Sequence, residues 1–269
     1  LWPEGEYPGQ LEIQAGKYFV RPRYEIRREN GRMRIAHPNV QRTDLAVNPK
    51  IKTLNDLMGK AFILPAPILP KMEFSSAFLP TPMSTAAHSL PIAALAYDKD
   101  GRQLYRQFLG DIPRHHSNWY EIDAMLAEFG EDVEDFGHME LVYDFQDGGD
   151  ADGWLHSIFH FTHRETGHAA ETSFGAHIFN TVLTVDKEPQ AYMGRAPGLS
   201  TRLFLRIGEP DFDTQCHLIY PASTPWHEYS DTKLMLHDRA GRQIVEKTLN
   251  IPCSGSRYWR MSQMFDADE

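Results

Sequence analysis

Apolar and polar residues alternate along much of this chain with the two-residue period of half-buried strands, and one alternating stretch comes round twice. Leu95 to Pro113 reads LAYDKDGRQLYRQFLGDIP, and Leu236 to Pro252 reads LHDRAGRQIVEKTLNIP. Each predicts a strand, a turn at Asp98-Lys-Asp-Gly101 or Asp238-Arg-Ala-Gly241, and a second strand ending in Ile-Pro. An Asp that opens such a turn can accept from the following backbone amides, and the Gly supplies the left-handed conformation.

The echo extends in both directions. Gly9-Gln-Leu-Glu-Ile13 answers Gly137-His-Met-Glu-Leu141 as an opening strand. A hairpin from Phe19 to Asn39, turning at Arg28-Glu-Asn-Gly31, answers one from Leu155 to His177 turning at Arg164-Glu-Thr-Gly167. Lys60-Ala-Phe-Ile-Leu64 and Arg202-Leu-Phe-Leu-Arg206 then read as buried strands, and Ser117-Asn-Trp-Tyr120 and Ser256-Arg-Tyr-Trp259 as closing ones. Roughly seven short strands per copy are the count of an immunoglobulin-like sandwich, with a single jelly roll as the runner-up. The expected fold is therefore all-β: two tandem immunoglobulin-like β-sandwich domains arising from an internal duplication, copy one at 1–135 and copy two at 136–269. Helix is expected only at Thr53–Lys60 and Tyr120–Phe129, the second with Ile122, Met125, Leu126 and Phe129 at helical spacing.

Charge changes this picture locally. The chain of 269 residues carries a net charge of -10. Between His115 and His163 there is no Lys or Arg but a dense run of carboxylates, while Lys17, Arg21, Arg23, Arg27, Arg28, Arg32 and Arg34 crowd the first hairpin. Such runs are usually solvated faces, and here they also suggest a basic hairpin docking against an acidic middle. The overall sign disfavours nucleic acid. The longest apolar run, AFILPAPILP from Ala61, is short and broken by proline, so no membrane segment is expected. Two cysteines, Cys216 and Cys253, match no zinc spacing, and with no signal sequence visible they favour a reduced, cytoplasmic setting.

Residues shared by both copies are explained by a shared fold, which directs attention to where the copies differ. The second hairpin holds His156, His160, His163, His168 and His177, against His37 alone in the first. His156 and His160 share a strand face. A two-residue Thr166-Gly167 loop would set His177 opposite His156, Ser173 opposite His160 and Glu171 opposite Thr162. That arrangement gathers His156, His160, His177 and Glu171 as a ligand set for a divalent transition metal. A three-residue loop slips the register by one and scatters them. Val20 and Tyr24 at the matching positions of copy one predict that this face packs inward. The insertion Asp144–Gly153 carries Asp147, Asp150 and Asp152 on a Gly-rich loop, a calcium-like donor set without a closing Glu. His115, His116 and Glu121 resemble the first cupin motif in spacing, but its His-x-His is missing and no second motif follows, so no residue is carried over. There is no Gly-x-Ser-x-Gly and no phosphate loop.

These residues lead to an expected non-catalytic binding or assembly protein, with no cofactor required, that takes a protein or glycan partner or its own copy. Trp119, Trp226 and Trp259, with Tyr258, are the candidate contact aromatics. The alternative is a metal-dependent enzyme acting on a small molecule through the histidine-rich hairpin.

Overall fold

The computed structural model describes residues 11, 13, 24–27, 33–36, 61–82, 88–116, 118–144, 155–175, 178–185, 188–191, 203–205, 207, 211–221 and 227–266. Among these the chain is mostly antiparallel strand, as the alternation predicts. No helix among the described residues is long and apolar enough to cross a membrane.

Two sheets enclose the main core. A six-stranded sheet has the order β12 (Glu188–Ala191), β11 (Ile178–Val185), β3 (Ala61–Ile68), β8 (Gly137–Tyr143), β5 (Ser89–Asp98), β6 (Gln103–Pro113). A four-stranded sheet has the order β10 (Ala169–Gly175), β9 (Leu155–His163), β4 (Phe74–Pro82), β7 (Tyr120–Glu121). Ile92, Ala94, Met139, Leu141 and Tyr143 from the first meet Phe78, Leu155 and Phe159 from the second in one apolar cluster, joined by Ile122, Met125 and Leu126 of helix α1 (Ile122–Glu128). The helix expected at 120–129 is thus present, and its apolar stripe is what docks it. The helix expected at 53–60 lies outside the described residues.

Strand pairing crosses residue 135. β8 lies between β3 and β5, with Leu64 opposite Leu141 on one side and Ala94 opposite Leu141 on the other. The edges of β3 and β5 would each present a row of unpaired amides and carbonyls without it. The six-stranded sheet is therefore not divided at the boundary between 1–135 and 136–269. β8 is buried from end to end because both of its faces are covered. Pro65 and Pro67 of β3 fall beyond the residues that pair with β11, in a stretch that among the described residues pairs only with β8, where a missing amide is tolerated.

Smaller pairs complete the fold: β1 (Tyr24–Arg27) with β2 (Met33–Ala36), β13 (Gln215–Tyr220) with β16 (Gly255–Arg260), and β14 (Thr232–His237) with β15 (Gln243–Leu249). A four-residue helix, α2 (Met261–Met264), follows β16. The segment 203–205, expected as a buried strand, is neither: Leu203, Phe204 and Leu205 are outside any strand and exposed, Phe204 at 88%. Leu11 and Ile13 of the expected opening strand are likewise outside any strand and exposed.

The repeated turns form as the sequence predicts. Asp98 Oδ1 accepts from the amides of Asp100 at 3.0 Å and Arg102 at 2.8 Å, and Oδ2 accepts from Arg102 Nε. Asp238 does the same with Ala240, Arg242 and Arg242 Nε. Gly101 and Gly241 take φ values of +89° and +81°. Their surroundings differ: a Cβ on Gly101 would stand 2.5 Å from the Cys253 carbonyl, whereas nothing lies within 4 Å of one on Gly241.

Candidate functional site

The histidine-rich hairpin turns through four residues, Arg164 to Gly167, with His163 and His168 closing it and the Gly167 amide donating to the His163 carbonyl. Glu171 accordingly stands opposite His160, Ser173 opposite Ile158 and Gly175 opposite His156. This is neither of the two registers expected. It differs from the two-residue loop by an even number of positions, so Glu171 keeps its place on the face of His156 and His160. That face points away from the main core, into which Leu155 and Phe159 project. The expectation of an inward face is corrected by the alternation of β9 itself, although His156 is still buried.

One row crosses all four strands of the sheet: Glu121 on β7, Ala77 on β4, His160 on β9, Glu171 on β10. Just before β7, the Trp119 ring centroid lies 5.3 Å from that of His160, edge against face. Trp119 Nε1 donates to Glu121 Oε1 at 2.7 Å. His160 Nδ1 lies 3.0 Å from Glu171 Oε1 and its Nε2 lies 2.9 Å from Thr162 Oγ1. Glu171 Oε2 accepts from Tyr24 Oη of the first hairpin at 2.8 Å, a bond from a neutral phenol to a carboxylate outside the acidic stretch 115–163. Trp119, expected as a contact aromatic, is thereby brought to His160 and Glu171, which were expected together in the ligand set.

Both ring nitrogens of His160 are engaged in hydrogen bonds, and Ile158 separates it from His156 along the face. Among the described residues no three His, Cys, Asp or Glu side chains are grouped closely enough to hold a cation. His177, Trp226 and the calcium candidates Asp147, Asp150 and Asp152 lie outside the described residues. Trp259 is buried, and Cys216 and Cys253 are free thiols, the first pushed up to about 11 by burial. In the loop after β6, His116 is buried, its Nε2 donating to the Pro80 carbonyl and its Nδ1 accepting from the Asn118 amide at 2.9 Å. Burial holds its pKa below the ordinary value, in spite of the Pro80 bond.

A second polar cluster escaped the sequence reading. On the outer face of the six-stranded sheet, His138 Nε2 lies 3.3 Å from Glu140 Oε1, both buried, and the Tyr97 ring stacks on His138 at 5.0 Å. From β13, His217 reaches the edge of Phe136 at 5.6 Å. His138 Nδ1 and both nitrogens of His217 are buried with no hydrogen-bond partner among the described residues. Burial, and then the charge His138 would carry, push His217 down to about 3. Burial also raises the Tyr97 phenol well above its usual range, reinforced by the Glu140 charge. The signal was present: His138 and Glu140 alternate with Met139 and Leu141. That pattern reads as a solvated strand face until the cover is known. No protein family model, curated protein or solved structure matches this chain.

Proposed function

We propose that the protein is a non-catalytic binding or assembly protein, and that its contact surface is the outer face of the four-stranded sheet around Trp119. One observation carries the reading. The Trp119 indole is held by Glu121 and by the edge contact with His160, over a row of side chains fixed by strand pairing. A half-buried aromatic that is already immobilised loses little entropy when a partner covers it, which is the property of an interface anchor. The partner class that fits is a protein segment presenting Lys or Arg. Indole faces attract cations, Glu121 is exposed beside the ring, and the stretch from His115 to His163 contains no competing Lys or Arg. A glycan and a second copy of the chain are the competing partners.

The duplication belongs to the same proposal. A duplication, read in sequence as copies at 1–135 and 136–269, is supported by the matched turns at Asp98 and Asp238, while β8, β9 and β11 of the second copy pair with β3, β4 and β5 of the first. Both hairpins also break register at the same step, between Ala96 and Tyr97 and between Leu236 and His237.

A Lys- and Arg-rich peptide titrated into the full chain, followed by tryptophan fluorescence, tests the partner class. Saturable binding that Trp119→Ala abolishes, and that weakens with salt, is expected. Binding that survives Trp119→Ala, or none at all, overturns this surface. Sedimentation at rising protein concentration identifies self-association if that is the result instead.

A further inference from the structure

The pair β13 and β16 packs against β3, β5 and β8 of the six-stranded sheet and is held there at three places. At one end the turn after β5 meets the start of β16: the Lys99 carbonyl accepts from the Ser256 amide and from Arg257 Nη1, both at 3.0 Å. At the other end both carboxylate oxygens of Glu73 accept from Arg260 Nη2 at 2.7 Å. Between the ends, His217 on β13 stands opposite Tyr258 on β16, and both rings close on Phe136, which leads into β8. The middle contact differs from the other two because it buries a base. Both His217 nitrogens and His138 Nδ1 are buried, and among the described residues none of the three has a hydrogen-bond partner.

Each element packed around His217 offers it little. β3 carries no titratable residue. β8 brings His138 and Glu140, which are bonded to each other. β5 brings Tyr97, stacked on His138, and Asp98, which is bonded within its own turn. β16 brings Tyr258, with Arg257 and Arg260 directed at Lys99 and Glu73, and Asp135 before Phe136 is exposed. On β13 itself, Cys216 lies on the opposite face from His217. Of these groups only His138 acts on the charge of His217, and it repels it. A proton arriving on His138 is answered by Glu140, whereas one arriving on His217 meets no carboxylate.

We infer that β13 and β16 form a flap that mild acid releases from the six-stranded sheet, with His217 as the residue that takes up the proton. Release gives the imidazolium water in place of the Phe136 edge and separates it from His138. The closed flap holds the His217 pKa down to about 3 by burial, and the open flap returns it to the ordinary value. The open population therefore rises about tenfold between pH of about 7.5 and about 5.5. Opening uncovers the stacked rings of Tyr97 and His138 together with Phe136.

Amide exchange of the full chain at these two pH values, each corrected for its intrinsic rate, tests the flap. Exchange in 215–220 and 255–260 is expected to quicken about tenfold at the lower pH, while 89–98 and 137–143 keep their protection. His217→Phe, which keeps a ring against Phe136 and Tyr258, should abolish this response and leave β13 protected at both pH values. His217→Leu is the second variant, with the same expectation. The unsubstituted chain decides by itself between a flap and general unfolding: loss of protection in all strands together, or no change in β13 and β16, overturns the inference. A response that persists in either folded variant overturns His217 as the residue that takes up the proton.

Discussion

Glu171 stands directly across from His160 and divides its carboxylate between two partners, Oε1 toward the imidazole and Oε2 toward the Tyr24 hydroxyl. It is the joint between the first hairpin and the four-stranded sheet. Replacing it with Ala removes both bonds at once, at a cost of about 2 kcal/mol. Tyr24→Phe, which removes one bond, costs about 1 kcal/mol. Urea denaturation of both variants and of their combination gives the coupling directly. Additive losses would mean that the two residues act independently.

Gly101 and Gly241 offer an internal control on backbone strain. Ala at Gly241 meets no neighbour and bears only the penalty of its positive φ, about 1 kcal/mol. Ala at Gly101 adds a collision with the Cys253 carbonyl and costs at least about 2 kcal/mol more. Thermal melts of the two variants should rank in that order.

His217 makes stability depend on pH in a definite direction. Its folded pKa of about 3 lies below the unfolded value, so the unfolded chain binds the proton more tightly. The contribution is complete above pH of about 6.5 and declines as the pH falls toward 3, by up to about 1.4 kcal/mol per unit. His116, also held below its ordinary value by burial, acts in the same sense. His217→Leu replaces an unpartnered buried polar ring with an apolar group. It should therefore flatten the decline measured by denaturant titration between pH 7 and pH 4.

The hairpin also makes a prediction about metal. With both His160 nitrogens in hydrogen bonds, protein purified without chelator should contain far less than one transition metal ion per chain, and a chelator should leave its melting temperature unchanged. Stoichiometric zinc, iron, manganese or nickel by elemental analysis would favour the enzyme reading over the binding one.

Local features were legible because local chemistry decides them. The Asp98 and Asp238 turns, the apolar stripe of α1 and the face shared by His160 and Glu171 all follow from spacing within one hairpin or helix. The register was harder, because the loop from Arg164 to Gly167 has four residues and the Gly alone does not say where the turn begins. Partners distant in sequence were not legible at all. Nothing in GHMELVY states that both β3 and β5 flank it, nor that β16 and its neighbours cover His138 and Glu140. Trp119 and Trp259 show the same limit. They occupy matching closing strands in the sequence, yet one lies over a polar row while the other is buried.

The placement of β8 has a consequence for biosynthesis. A ribosome delivers β3 to β7 before the strand that joins β3 to β5 exists, so the facing edges of β3 and β5 stay bare until Tyr143 has emerged. Unfilled edges recruit any extended peptide nearby, including those of neighbouring polysomes. A chain cut before Phe136 would lack the strand that joins β3 to β5, and the seven residues Gly137 to Tyr143 supply it.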